Sequence, residues 1–243
     1  MIVIPMMGKS SRFFKEGYKV PKFMLLVGEE SLFSLSVRSF ERYFHTEDFA
    51  FAIPDDDFIY QWLLKEIDKI KITNFEIIKI PYETRGQADT VSEVLKRGAM
   101  SSRSVYIFNI DTILLNFTKD HDCNMDGYLE VFRGQGDHWS FAEVNNSGLV
   151  SRTSEKERIS DLCSNGLYYF KSEEIFLEGF NSSLDKMERS KETSEIYIAP
   201  IYNHLISLGL KIGVKEVDLE DILFSGTPSE YENLLKQKNT KIS

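Results

Sequence analysis

Short apolar runs and amphipathic runs alternate along the first 110 residues of the chain. The short runs are rich in β-branched and aromatic residues, which is typical of buried strands. The runs between them repeat apolar positions at the three- and four-residue spacing of helices. The predicted strands are Met1–Met6, Phe49–Ile53, Phe75–Ile80 and Ser104–Ile110. The predicted helices are Ser31–Phe44, Phe58–Ile70 and Gln87–Met100.

This alternation predicts a parallel sheet with helices on both faces, a three-layer α/β/α arrangement of the Rossmann-like type. The pattern changes after residue 122, where short strands predict a smaller antiparallel extension of a mixed, mainly parallel sheet. These strands are Gly127–Phe132, Trp139–Val144, Leu149–Arg152 and Gly166–Phe170. Later runs predict helices at Ser172–Met187, Ser194–Leu208 and Pro228–Lys236 and a strand at Lys211–Val217. We expect one domain with a first half, 1–122, a second half, 123–236, and a frayed tail, 237–243.

Composition narrows the class of protein. A chain of 243 residues with 42% hydrophobic content can bury one large core without disulfides or structural metals. The net charge of −9 argues against general binding to nucleic acid or to anionic membranes. Cys123 and Cys163 have no Cys or His neighbour at metal-ligand spacing, so we expect reduced thiols. No signal peptide or membrane-spanning run is visible, and we expect a cytoplasmic protein.

The loop after the first strand has the composition of a polyphosphate site. Gly8, Ser10 and Ser11 are small enough to let backbone N–H groups approach phosphate oxygens. Arg12 offers a planar fork for bidentate phosphate contact, and Lys22 offers a compact charge that can follow one oxygen. We therefore predict that this loop binds a nucleoside triphosphate. A strand-to-loop turn without a ligand is the alternative.

Gly8, Lys9 and Ser10 also look like the end of a P-loop. That motif requires a glycine five positions before its Gly-Lys pair, in the loop that follows a complete strand. Val3 occupies that position and lies within the first strand. The sequence therefore disfavours a P-loop kinase or ATPase.

Three further segments contain candidate binding residues. Asp111 follows a buried strand, where a carboxylate can bind Mg²⁺ that bridges phosphate oxygens, or can instead cap a turn or helix. Gly86 and Gln87 precede a helix, and free N–H groups there can hold a base or ribose. Lys156 can bind a phosphate or hydroxyl of a second substrate, although such charged runs are also typical of solvated loops. Gly166 would let that substrate approach the backbone.

Together these motifs resemble the sugar-phosphate nucleotidylyltransferases, the NDP-sugar pyrophosphorylases of the nucleotidyltransferase superfamily. The matching segments are Ile4–Phe13, Pro21-Lys22, Gly86–Ala88, Asp111, Glu155-Lys156, Asn165–Tyr168, Glu195-Ile196 with Asn203, and Gly226–Pro228. They span nearly the whole chain, and the first two are specific.

The resemblance implies an enzyme that moves a nucleoside monophosphate from a nucleoside triphosphate to a phosphorylated small acceptor, such as a sugar phosphate, with Mg²⁺-dependent release of pyrophosphate. Arg12 and Lys22 would be catalytic. The first half of the chain would bind the nucleotide and the second half the acceptor, where Glu195 joins Lys156 and Gly166. The prediction leans toward CTP, without a residue that reads the base, and toward a role in capsule or surface polysaccharide biosynthesis. It includes no nucleic-acid or membrane partner and leaves a homo-oligomer open.

The chain departs from the family pattern at three positions. Ser10 replaces a glycine that is usual in the first loop. Pro81 stands where a glutamine commonly reads the base, so base identity is not carried over. Phe224 replaces a late metal-binding carboxylate, and Asp218 or Asp221 are candidates to substitute for it.

Two other functions fit parts of this sequence. A glycosyltransferase that uses nucleotide sugars usually has an Asp-x-Asp pair at its metal site, whereas this chain has Asn109 and Asp111. A non-catalytic module that binds a nucleotide or sugar nucleotide would explain Phe224. Retention of Arg12 and Lys22 favours nucleotidyl transfer over the glycosyltransferase, and the binding module remains an alternative.

Overall fold

The computed structural model describes residues 1–100, 104–119, 124–190 and 195–241. Predictions for Cys123, for the boundary at 122 and 123, for a helix start at Ser194 and for residues 242 and 243 lie outside this part. In the described chain thirteen strands form: β1 (Ile2–Pro5), β2 (Leu26–Val27), β3 (Glu30–Ser31), β4 (Phe49–Pro54), β5 (Phe75–Ile80), β6 (Val105–Phe108), β7 (Thr112–Leu114), β8 (Gly127–Arg133), β9 (Ser140–Val144), β10 (Val150–Glu155), β11 (Leu162–Phe170), β12 (Ile212–Glu216) and β13 (Ile222–Phe224).

The same residues form seven α-helices: α1 (Ser11–Lys15), α2 (Leu32–Val37), α3 (Asp57–Ile70), α4 (Gln87–Arg97), α5 (Glu173–Ser190), α6 (Ile201–Ser207) and α7 (Pro228–Lys241). Short 3₁₀ helices span Lys22–Met24, Arg38–Tyr43 and Leu219–Asp221. None of the described helices has both the length and the apolar composition that a bilayer span requires.

Nine strands make one mixed sheet in the described chain. Strands β5, β4, β1 and β6 are parallel neighbours in that order, and β11 runs antiparallel to β6. Beyond β11 lie β8 and then β12. The first half of β11 also pairs with β9, which pairs with β10 in the antiparallel extension. Because β11 is antiparallel to β6, its first half lies at the sheet edge where the parallel strands end.

Side chains on both faces of the sheet are buried, because successive residues of a strand point to opposite faces. One face carries Ile2, Ile4, Phe49, Phe51 and Ile53, and the other carries Val3, Ala50 and Ala52. Helices α2 and α3 pack on the first face, and α4, α5 and α6 pack on the second. The predicted three-layer fold with a mainly parallel sheet and an antiparallel extension is confirmed.

Two predicted helices differ from those observed. The helix predicted over 31–44 is α-helical only to Val37, and Phe40 has non-helical torsions in the 3₁₀ segment that follows. Of the described residues in the helix predicted over 194–208, only Ile201–Ser207 are α-helical. Residues 195–200 are non-helical because Ile196 pairs with another loop, donating to the Arg85 carbonyl and accepting from the Ala88 N–H.

Strands β7 and β13 are among the short strands that were not predicted. Strand β7 pairs antiparallel with β13, which brings the segment after β6 beside the segment before α7.

Helix α7 also continues past the predicted end at residue 236 to Lys241. Thr227 and Glu230 stabilise its start, since the Glu230 carboxylate accepts from the Thr227 N–H at 2.8 Å and the Thr227 hydroxyl accepts from the Glu230 N–H at 3.3 Å. This reciprocal pair is a capping box.

Candidate active site

A cleft of about 730 Å³ opens at the carboxyl ends of β1, β5 and β6. Ligands of open α/β sheets commonly bind at this edge. Six of the predicted site residues line the cleft: Gly8, Lys22, Gly86, Gln87, Asp111 and Glu195. Ser10, Ser11, Arg12, Lys156 and Gly166 lie in the segments around it. The cleft therefore brings together residues from both halves of the chain.

Ser10 shapes the loop that follows β1. Its backbone is left-handed, with φ of 51° and ψ of 30°, a region that a small non-glycine residue can occupy. The Ser10 hydroxyl accepts a hydrogen bond from the Lys22 N–H at 3.0 Å, so the side chain links the loop to the lysine segment. Serine in place of the family's glycine is thus accommodated. Ser11 and Arg12 follow as exposed residues of α1.

Lys22 and Asp111 form an ion pair in the cleft, with 2.5 Å between Nζ and Oδ2. Their side chains are 18% and 28% exposed, so a ligand can reach both. Burial by itself would raise the pKa of the Asp111 carboxyl. The charge and hydrogen bond of Lys22, together with the charge of Arg12, instead hold this pKa below its usual value. Asp111 is therefore an anion at neutral pH.

The β7–β13 ladder holds Asp111 in place. The Ser225 N–H donates to the Asp111 carbonyl at 2.8 Å, and the Ser225 hydroxyl donates to the same oxygen at 3.1 Å. Gly226 follows directly, and a Cβ at this position would lie 2.9 Å from Asp111 Oδ2. The glycine before α7 therefore leaves the space that the carboxylate occupies.

Gly86 lies against the segment that contains Glu195. Its φ is +118°, and a Cβ at Gly86 would lie 2.5 Å from Glu195 Cγ and 2.7 Å from the Ile196 carbonyl oxygen. Only glycine tolerates both the torsion and the contact. This packing places the predicted acceptor residue beside the predicted nucleotide turn.

Gln87 and Gly166 are connected through Asn109. The Gln87 side-chain amide donates to the Asn109 side-chain oxygen. The Asn109 N–H donates to the Gly166 carbonyl at 3.0 Å. Gly166 has φ of +93°, and a Cβ there would lie 2.6 Å from Asn109 Nδ2. Gly166 is buried behind Asn109, and Asn109 lines the cleft.

Lys156 contacts Tyr197, which lies two residues after the cleft residue Glu195. Its ammonium donates to the Tyr197 hydroxyl at 2.6 Å and lies 4.4 Å from the ring centroid. Burial raises the pKa of the Tyr197 hydroxyl, and the nearby Glu195 carboxylate raises it further. The Tyr197 contact raises the pKa of Lys156, which is a cation at neutral pH. Next to it, burial raises the pKa of the Glu155 carboxyl, although the Ser140 hydroxyl donates to it.

No second carboxylate comes from the positions considered for a late metal ligand, Phe224, Asp218 and Asp221. The Phe224 ring packs 4.8 Å from the ring of Trp139. The two aspartates line a separate cavity of about 480 Å³. Asp221 lies at the far end of the β7–β13 ladder, where its carbonyl accepts from the Leu115 N–H. Among the described residues, no cluster of three or more His, Cys, Asp or Glu side chains could hold a metal ion.

Sequence reasoning did not assign site roles to Asn109, Tyr197, Lys9 or Glu83. Asn109 follows buried strand β6 as Asp111 does, so the same signal could have identified it. Lys9 and Glu83 line the cleft and form an exposed ion pair of 2.8 Å between the first loop and the loop after β5. Tyr197 had no usable signal, because its segment was predicted as a helix.

The arrangement can bind and neutralise a polyphosphate. Lys22 and Arg12 supply positive charge beside the loop that follows β1, and Asp111 supplies an anion that can hold a divalent cation. The described cleft contains no serine–histidine or cysteine–histidine pair, so no protein nucleophile is indicated. These properties suit transfer at phosphorus by positioning and charge stabilisation.

Solved structures resemble this chain over its whole length. A nucleoside-diphosphate-sugar pyrophosphorylase from Vibrio cholerae RC9 is 42% identical, with a TM-score of 0.92, 98% of this chain covered and 100% of that one. An inositol-1-phosphate CTP transferase from T. maritima is 11% identical, with a TM-score of 0.71 and coverage of 98% and 95%. A CTP:phosphocholine cytidylyltransferase from Streptococcus pneumoniae is 14% identical, with a TM-score of 0.71 and coverage of 97% of each chain. No protein-family model and no curated protein sequence matches.

Proposed function

The chain belongs to the nucleoside-diphosphate-sugar pyrophosphorylase family of nucleotidyltransferases, and we propose that it transfers a nucleoside monophosphate to a phosphorylated small molecule. The 42% identity to the Vibrio protein, over the full length of both chains, carries this proposal. The resemblance noted in the sequence is thereby confirmed. Nucleotide binding is proposed for residues 1–122 and acceptor binding for 123–236.

In the proposed reaction, a phosphate oxygen of the acceptor attacks the α-phosphorus of the nucleoside triphosphate. A new P–O bond forms, and the bond from the α-phosphorus to the oxygen that bridges to the β-phosphorus breaks. Its electron pair leaves with pyrophosphate. No proton has to move, which agrees with a site built from cations, a carboxylate and backbone donors.

Six residues have proposed roles toward the nucleotide. Lys22 and Arg12 neutralise phosphate charge, and Lys22 lies close enough to the Asp111 carboxylate to be oriented by it. Gly8 provides open space, since nothing lies within 4 Å of a Cβ placed there, and phosphate can approach its backbone. The Ser10 hydroxyl accepts from the Lys22 backbone N–H and so positions the lysine. Gly86 and Gln87 line the part of the cleft proposed for base and ribose.

The donor set at Asp111 fits Mg²⁺. Magnesium in nucleotide sites usually has one or two protein carboxylates, substrate phosphates and water as ligands. Asp111 is anionic, partly exposed and beside the proposed phosphate site, so this carboxylate would hold the ion. A bound Mg²⁺ would stabilise charge on the phosphate oxygens. Asp218 and Asp221 have no role in this proposal.

We propose that Lys156 and Glu195 face the acceptor. Lys156 also contacts the Tyr197 hydroxyl, and Gly166 supports this part of the cleft. The acceptor is a sugar phosphate or a similar phosphorylated alcohol. Solved structures of this fold include enzymes named for UDP-glucose, inositol 1-phosphate and phosphocholine. We lean toward CTP as the nucleotide. A cytoplasmic location and a role in capsule or surface polysaccharide biosynthesis are part of the proposal.

The direct test is pyrophosphate release with Mg²⁺, crossing CTP, UTP, dTTP, GTP and ATP with glucose 1-phosphate, inositol 1-phosphate and phosphocholine. We expect release only when both an acceptor and a nucleotide are present. Asp111→Asn should lower the rate by about 100-fold or more. Asp221→Asn, at the other end of the same ladder, is the matched control and should leave it unchanged. Absence of acceptor-dependent release from every pair would overturn the proposal.

A further inference from the structure

A buried glutamate lies on strand β8, which pairs with β11. Glu130 is in the middle of β8, and its side chain is only 2% exposed. One carboxylate oxygen, Oε2, lies 3.1 Å from the Lys215 ammonium on the neighbouring strand β12. Burying a carboxylate is costly unless its oxygens have partners. The partner of the other oxygen, Oε1, lies on strand β11.

The second oxygen of Glu130 accepts a hydrogen bond from Asn165. The distance from Asn165 Nδ2 to Glu130 Oε1 is 2.9 Å, and Asn165 is itself buried. The pairing register between β11 and β8 shifts between Ser164 and Tyr168, so Asn165 lies in an irregular stretch of β11. Resemblance to the family placed Asn165 in a strand that contacts the acceptor. Its side chain instead donates to Glu130, and Asn165 does not line the cleft.

Hydrogen bonds of Asn165 hold this irregular stretch in place. Its side-chain oxygen accepts from the Leu167 N–H at 3.1 Å, and its carbonyl accepts from the Thr112 hydroxyl at 2.9 Å. The next residue, Gly166, accepts from the Asn109 N–H and packs under the Asn109 side chain. Asn109 lines the cleft and is bonded to Gln87. A continuous set of contacts thus joins Glu130 to the cleft surface.

We propose that Glu130 is a positioning residue for acceptor binding, acting through Asn165 on the placement of Gly166 and Asn109. This inference rests on the proposed function. The Asn165 amide has a donor that must be satisfied in the core, and Glu130 is its acceptor. Lys215 compensates the glutamate charge. Without the Glu130 oxygen, the Asn165 amide would have no hydrogen-bond acceptor, and the stretch around Gly166 would become less ordered. This stretch lies on the side of the cleft proposed to bind the phosphorylated substrate.

The test compares two double variants, Glu130→Gln with Lys215→Met and Glu130→Met with Lys215→Met. Both remove the ion pair, a change that proteins often tolerate. Only the glutamine variant keeps an oxygen to accept from Asn165. The measurements are KM for acceptor and for nucleotide, and hydrogen exchange of the segment 162–170.

We expect acceptor KM to be about fivefold or more higher in the methionine pair than in the glutamine pair, with nucleotide KM within about twofold. Amides at Gly166 and Leu167 should exchange faster in the methionine pair. Asn165→Ala, which keeps the ion pair, should reproduce the higher acceptor KM and serves if the methionine pair does not fold.

Equal acceptor KM and equal exchange in the two double variants would overturn the proposal. So would a rise in nucleotide KM as large as the rise in acceptor KM, because Glu130 would then not act selectively on acceptor binding. A wild-type protein without acceptor-dependent pyrophosphate release would overturn the proposed function and the acceptor role with it. The hydrogen-exchange comparison would then separately support or overturn the statement that Glu130 holds this stretch.

Discussion

Replacing Gly86 by alanine tests the contact that joins the two halves of the cleft. Gly86 has φ of +118° and ψ of −175°, a region that is essentially restricted to glycine. The added Cβ would also lie 2.5 Å from Glu195 Cγ and 2.8 Å from the Ile196 nitrogen. The Ile196 backbone cannot move freely, because it hydrogen-bonds Arg85 and Ala88. Strain and steric overlap therefore act together.

The size of the effect follows from these two costs. A non-glycine residue in a sparsely populated torsion region costs about 1–3 kcal/mol. Overpacking against a constrained segment costs about 1–3 kcal/mol more. The free energy of unfolding should therefore fall by about 2–6 kcal/mol, a large part of the usual total of about 5–15 kcal/mol.

Two other glycines separate these costs. Gly17 has φ of +93° but open space around its Cβ position, so Gly17→Ala should show the torsional cost alone. Gly8 has open space and no positive φ, so Gly8→Ala should change stability by less than about 0.5 kcal/mol. The added methyl group would nevertheless face the proposed phosphate site, and nucleotide KM should rise. The assay is urea denaturation followed by the fluorescence of Trp62 and Trp139.

The expected order of destabilisation is Gly86→Ala, then Gly17→Ala, then Gly8→Ala. If Gly86→Ala lost no more stability than Gly17→Ala, the contact with Glu195 and Ile196 would not exist as described. The placement of Glu195 in the cleft would then be wrong.

Three further predictions concern charge and capping. Lys22→Ala should lower the rate of pyrophosphate release by about 100-fold or more, because it removes a preorganised cation from the phosphate site and leaves Asp111 unpaired; steady-state kinetics measure this. Glu155→Gln should raise the melting temperature relative to wild type by an amount that grows as pH rises from 4 to 7. Burial raises the Glu155 pKa in the folded state, so ionisation of this carboxyl disfavours folding above its unfolded pKa, and no such cost exists below it. Thr227→Ala should lower the free energy of unfolding by about 1 kcal/mol, whereas Glu230→Gln should be nearly neutral, because glutamine also completes a capping box.

Each of these predictions has a contrary outcome. Unchanged turnover in Lys22→Ala would remove this lysine from the mechanism. A melting-temperature difference for Glu155→Gln that is the same at all pH values would show that the wild-type carboxyl titrates normally. Equal losses in Thr227→Ala and Glu230→Gln would show that Glu230 acts through its charge rather than as a hydrogen-bond acceptor.

Much of the sheet could be predicted because its strands are buried on both faces. Strands β1, β4 and β6 are continuous apolar runs, and such runs stand out from the amphipathic helices between them. Elements whose conformation depends on distant partners could not be predicted. Strands β7 and β13 have three residues each, too few for a periodic signal, and they form because they pair with each other.

The site divides in the same way. By itself the sequence indicated that the loop after β1 and Asp111 lie at the carboxyl ends of strands, because short loops after parallel strands all emerge at one edge of the sheet. Local order along the chain was enough for that inference. Similarity of motifs also identified the family.

Only the tertiary structure decided which of these groups touch. The Lys22–Asp111 ion pair, the contact of Gly86 with Glu195 and the hydrogen bond from Asn165 to Glu130 each join segments that are far apart in the chain. These contacts depend on the order of the strands in the sheet and on the irregular stretch of β11. Both are set when helices pack on the two faces of the sheet. A residue's own neighbours in the sequence contain no record of such a partner. Glu130 is the clearest case, since it lies in a predicted strand and acquires a role only from Asn165 and Lys215.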